Sequence, residues 1–141
     1  MNTVNSLLEE KDAIRETMAR YCFHFDGGHI DEWVGLFTED GIFDRGDYGV
    51  QSGEEALRAF FSGYPLPDGT PRLMHIISNV IIEVNGNEAR SQSYVLVVRP
   101  NKDGALVNGL AGRYQDELVK TDGRWRFRVR KVFFDYLGEM K

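Results

Sequence analysis

Two side chains far apart in the sequence carry the groups needed for proton transfer, Asp26 and His75. His75 interrupts the apolar run Leu73-Met74-His75-Ile76-Ile77. An unperturbed imidazole titrates near ~6.5, so histidine is the natural base at neutral pH. In an alternating strand His75 shares a face with Leu73, Ile77, Asn79 and Ile81. Taken alone, such a histidine reads first as a core residue with satisfied ring nitrogens. Asp26 precedes Gly27-Gly28, where a helix is expected to end. A carboxylate there meets the negative end of the helix dipole. It is either open to solvent or held by a donor such as a histidine, and spacing alone favours the first. If Asp26 accepts the Nδ1–H of His75, the tautomer is fixed and Nε2 becomes the base. Tyr21 lies about one and a half turns before Asp26. Its hydroxyl can reach a shared cavity, or it is a core tyrosine.

Arg124, Arg126, Arg128 and Arg130 alternate with Trp125, Phe127 and Val129. The alternation makes the first three a solvated face opposite an apolar one. Arg130 turns inward only if the strand bulges, and it would then bind an anion or a polarised oxygen. His24 and His29 flank the glycine pair without a HxH or HExxH spacing, so no metal site is expected. There is no phosphate loop and no nucleophile elbow, and the single cysteine, Cys22, reads as a small buried helix residue.

The elements that must position these groups divide the chain in two. Ser6-x-x-Glu9 is a capping box ahead of a helix carrying Met18, Tyr21 and Phe25. Asp31 is expected to cap a short second helix with Trp33, and Ser52-x-x-Glu55 to open a third with Phe60. Thr38-Glu39-Asp40-Gly41 reads as a turn before a short strand at Ile42 and Phe43, and Gly63 to Pro71 as a loop that can act as a lid. From Arg72 the chain reads as long strands. Asn85-Gly86, Asn101 to Gly104 and Asp122-Gly123 are the turns, and Gly109 and Gly112 are bend points. The expected fold is α+β, with three N-terminal helices packed in a strongly curved, mostly antiparallel sheet, a cone with an internal pocket.

With 141 residues, 42% hydrophobic and 28% charged, the chain fits one domain spanning 1–141. A net charge of −5 argues against a nucleic-acid partner. No run is long and apolar enough for a membrane span, and the polar start has no signal core, so a cytoplasmic location is expected.

The segments Tyr21 to Gly28 and Asp31 to Gly41 resemble the opening of SnoaL-like proteins, in the nuclear-transport-factor-2-like superfamily. Gly53 to Leu57, His75 to Asn79 and Asp122 to Phe127 resemble its third helix, first long strand and final hairpin. The nearest pattern is that of cofactor-free lyases such as hexachlorocyclohexane dehydrochlorinase and bile-acid 7α-dehydratase. That resemblance implies His75 as base, Asp26 as its partner, and Tyr21 and Arg130 as stabilisers of developing charge. It implies no cofactor and a small hydrophobic substrate. Met18, Trp33, Phe60, Leu73, Tyr94 and Tyr114 are the candidate lining. The superfamily also holds isomerases, cyclases, binding modules and dioxygenase small subunits. The open sheet face, through Tyr94 to Val98 and Val132 to Tyr136, is expected to make a homodimer or homotrimer.

Overall fold

A computed structural model describes residues 5–63 and 73–138. Apart from Gly63, the expected loop lies outside the described residues. Helix α1 spans Leu7–Asp26 and opens on a reciprocal cap: Glu9 N donates to Ser6 Oγ and Ser6 N to Glu9 Oε1, each at 3.2 Å. It buries Ile14, Met18, Tyr21, Cys22 and Phe25 along one face and stops where Gly27 N–H turns back to the Phe23 carbonyl.

The other two helix starts differ from expectation. In α2, Ile30–Val34, the cap position is His29, and Asp31 makes no cap bond. The Asp31 carboxylate is drawn instead to Arg58 Nη1, 2.7 Å away. In α3, Glu54–Ser62, Gly53 stands at the cap with φ +89, a conformation that favours glycine. Ser52 cannot cap because its backbone belongs to a short strand, Val50–Ser52, paired with Ile42.

Among the described residues six strands form one sheet. Besides β1 (Phe37–Asp44) and β2 (Val50–Ser52), they are β3 (Met74–Asn85), β4 (Glu88–Pro100), β5 (Leu106–Thr121) and β6 (Arg124–Leu137). Their order is β2-β1-β6-β5-β4-β3, so the sheet is open, with β2 and β3 at its edges. Every pairing is antiparallel except β1 with β6, which is parallel. The expected turn at Thr38 to Gly41 lies inside β1. There the partners move from Phe37↔Phe127 to Ile42↔Val129, so β1 carries surplus residues as an irregular bulge.

Four further register shifts set which side chains face the helices. Asn79, at φ +57, sits in a shift between Ser78 and Ile81. It moves Ile81 off the His75 face, against expectation, and leaves it 58% exposed. Gly109 and Gly112 lie at shifts in β5. A Cβ on Gly112 would collide with the Phe133 carbonyl. On β6, Glu117 faces Val129 while Leu118 faces Phe127, so Arg128 is surplus. Trp125 and Phe127 are buried, and past the shift Arg130 and Val132 are buried instead of Val129 and Lys131.

The core lies between α1, α2, α3 and the inner sheet face. Tyr21, Phe25, Trp33, Phe37, Phe43, Phe61 and Phe127 meet there in edge-to-face and tilted contacts. Such ring pairs add about 0.5–1.5 kcal/mol each beyond area burial.

Candidate active site

Asp26 ends α1 and His75 is the second residue of β3. The carboxylate grips the histidine twice. His75 Nδ1 lies 2.7 Å from Asp26 Oδ1, and the His75 backbone N–H donates to Oδ2 at 2.8 Å. The two bonds offset what the helix dipole costs a carboxylate at that end. An ionised carboxylate only accepts, so a neutral imidazole bonded to one through Nδ1 carries its proton there. Any proton His75 exchanges then passes through Nε2. The pair is largely enclosed, with 10% of the His75 side chain and 19% of the Asp26 side chain exposed.

The imidazole stands edge-on to two rings, Phe25 at 5.3 Å and Tyr21 at 5.9 Å between centroids. Tyr21 is fully buried, and its ring meets that of Tyr114 edge-on with 5.9 Å between centroids. Burial pushes the Tyr21 phenol well above its ordinary range and that of Tyr114 up to about 12. Both remain protonated donors at neutral pH.

The bulge at Arg128 delivers Arg130 beneath these tyrosines, with no solvent exposure. Its guanidinium carbon lies 3.5 Å from the Tyr114 ring centroid, 4.2 Å from Tyr21 and 4.6 Å from Phe127. Asp116 on β5 supplies the counter-charge, with Oδ1 3.2 Å from Arg130 Nε. Its other oxygen accepts from Ser91 Oγ on β4 at 3.0 Å. The Asp116–Arg130 contact is an ion pair by distance but is not aligned as a hydrogen bond. Among the described residues, Arg130 Nε, Nη1 and Nη2 have no hydrogen-bond partner. The Trp33 indole N–H is buried and unpartnered in the same sense.

The structure thus brings Asp26, His75, Tyr21 and Arg130 into one continuous cluster. Of the lining candidates, Met18, Trp33 and Tyr114 are buried, and Phe60 and Leu73 pack against the core half-buried. Phe60 lies 6.1 Å from both Trp33 and Phe25. Tyr94 does not belong to the lining. Its neighbours Ser93 and Val95 face inward, so strand alternation puts Tyr94 on the outer face, 55% exposed.

Asp116 and Ser91 escaped the sequence reading. Their signal was a polar residue on an apolar phase, as in Gly112-x-Tyr114-x-Asp116-x-Leu118. His24 and His29 face each other across the glycine turn at 3.3 Å between Nδ1 atoms, apart from this cluster. Among the described residues no group of three or more potential ligands gathers to hold a metal. No described helix is long and apolar enough to cross a membrane.

Known proteins share this arrangement of elements. A protein of unknown function from Mycobacterium tuberculosis, solved as an aspartate-to-asparagine variant, is 32% identical. Its TM-score is 0.81, with 92% of this chain and 79% of that one covered. A candidate scytalone dehydratase from Novosphingobium aromaticivorans is 30% identical, with a TM-score of 0.80 over 95% of this chain and 89% of its own. The anthranilate 1,2-dioxygenase small subunit of Burkholderia cepacia is 25% identical over 82% of this chain and 81% of its own. The SnoaL-like domain matches residues 6–131, and the chain belongs to that family.

Proposed function

We propose that this protein is a cofactor-free lyase, a dehydratase or a related elimination enzyme, acting on a small, mostly apolar ring compound. The observation that carries the reading is the double hold of Asp26 on His75. It fixes the ring orientation and leaves Nε2 as the only route for a proton. In the proposed step His75 Nε2 takes a proton from carbon, the C–H electrons become the new double bond, and the adjacent C–O or C–halogen bond breaks with its electrons on the leaving atom. Asp26 balances the imidazolium. Tyr21 donates a hydrogen bond to a carbonyl or to the leaving group, and Arg130 stabilises the negative charge that develops there. The candidate scytalone dehydratase supports this reading by analogy. Isomerisation or cyclisation with the same base differs in product only.

Turnover of hydroxylated and halogenated ring compounds tests it, with water-derived or halide products followed by mass spectrometry. Asp26→Asn is expected to lower kcat about 10²–10⁴-fold with KM nearly unchanged. Equal rates for wild type, Asp26→Asn and His75→Ala would refute the base assignment.

The small-subunit relative supports a second reading, a non-catalytic module that binds a ligand or a large partner subunit. Recovery of the chain bound to such a partner, with no turnover, would favour it. We further propose a cytoplasmic homodimer or homotrimer joined through the outer sheet face, where Met74, Ile76, Tyr94 and Tyr136 are exposed. Light scattering at the monomer mass of 16.1 kDa would exclude that assembly.

A further inference from the structure

Resting on the proposed site, a charge balance within it identifies the class of ligand. Arg130 is the fixed cation of the cluster, and Asp116 and Asp26 are its carboxylates. With His75 neutral, as a base must be, these groups sum to −1. With His75 protonated they sum to zero. An unpaired buried guanidinium would invite a carboxylate, its best-matched partner. Asp116 already supplies that charge from a position with no solvent exposure. Its Oδ1 lies 3.2 Å from Nε, while Ser91 ties its second oxygen.

Three strands contribute this arrangement: Ser91 from β4, Asp116 from β5 and Arg130 from β6. Neither Nη1 nor Nη2 has an acceptor among the described residues, and both are closed to solvent. The Trp33 indole N–H, on a ring 5.6 Å from Tyr21, is likewise unpartnered. A buried donor without an acceptor is costly, so these atoms call for oxygens brought in from outside. The cluster therefore offers donors without offering net positive charge.

We infer that Asp116, held by Ser91, neutralises and positions Arg130, so that the site selects neutral ring molecules presenting an acceptor oxygen and rejects carboxylates of the same size. Asp116 acts through Arg130 and is a positioning residue. An anion entering would face Asp116 and Asp26 in a region with little water to screen them. A neutral carbonyl or hydroxyl oxygen meets the same donors without that repulsion.

A matched pair of probes, 2-naphthol and 2-naphthoate at neutral pH, tests this. Calorimetry gives each affinity. The Trp33 indole N–H resonance, assigned with Trp125→Phe, reports whether a probe sits in this cluster. Wild type is expected to bind naphthol about tenfold or more tightly than naphthoate. Asp116→Asn keeps the shape and leaves Arg130 uncompensated, so that ratio is expected to shrink about fivefold or more. Ser91→Ala should give an intermediate ratio. The inference is overturned if wild type binds naphthoate as well as naphthol. It is also overturned if neither probe moves Trp33 at millimolar concentration, or if the ratio survives Asp116→Asn intact. Should that variant not fold, the wild-type ratio and Ser91→Ala decide the matter. Binding selectivity is independent of turnover. A selective site with no turnover of any substrate would refute the lyase reading and leave this inference standing.

Discussion

Among the described residues, a half-buried carboxylate–cation cluster and a fully buried one are built in opposite ways. At the start of α1, Glu10 spends both oxygens: Oε1 on Lys120 Nζ and Oε2 on Trp125 Nε1, each at 2.6 Å. That cluster pins the helix to β5 and β6 with every named polar atom paired. At the far end of α1, Asp116 and Arg130 are more deeply buried, yet four of their polar atoms lack a hydrogen bond among the described residues. A saturated cluster stabilises a fold, whereas an unsaturated one costs stability and keeps donors available. Paired and unpaired polar groups are thus divided between the two ends of one helix.

The sharpest way to break this comparison is to remove one partner of the open cluster. Arg130→Met strands Asp116 and is expected to cost about 3–5 kcal/mol in urea unfolding. Adding Asp116→Leu should restore most of that loss or exceed wild-type stability. If the double variant is no better than the single, Asp116–Arg130 is not a coupled pair.

Glu10→Gln should cost less, about 1–3 kcal/mol, because Lys120 reaches solvent more easily than Arg130. A double-mutant cycle with Trp125→Phe isolates the indole bond, and a coupling near zero would show that Glu10 does not act as a pin.

The smallest effect is a difference in sign with pH. Bonds to Lys120 hold the Glu10 carboxyl below its ordinary value of 4.5, so its contribution is present above that value and lost as pH falls. Burial pushes Asp116 from 3.8 up to about 6, against the pull of Arg130 and Ser91. Its folded form binds more protons than the unfolded chain in that window, so its contribution to stability declines as pH rises from about 4 to 6. Unfolding measured across this range should show Asp116→Asn gaining relative to wild type as pH rises. A parallel pair of curves would contradict the assignment.

Local signals were the legible part of the sequence. Ser6 and Glu9 announced the helix start, and Asn85-Gly86 and Asp122-Gly123 announced hairpins that the structure closes with positive φ at Gly86, Asp122 and Gly123. What failed were signals that compete with a tertiary partner. Asp31 prefers Arg58 to its own helix, and Ser52 is claimed by a three-residue strand too short to show alternation. Asp26 and His75 were individually conspicuous, but 49 residues separate them and no periodicity joins them. Tyr94 was misplaced although the alternation around it was regular, because a tyrosine suits either face of a sheet.

The surplus residue on β6 bears on how chains of this kind are compared by length. Loss of Arg128 would leave Leu118 opposite Phe127 and Glu117 opposite Val129 and simply make the ladder continuous. Arg130 would keep its side. Loss of Lys131 would instead turn every residue beyond it to the other face. A gap is silent at one place in this stretch and disruptive beside it. A relative with its arginine four residues after the tryptophan, rather than the five seen here, would present it to the same interior.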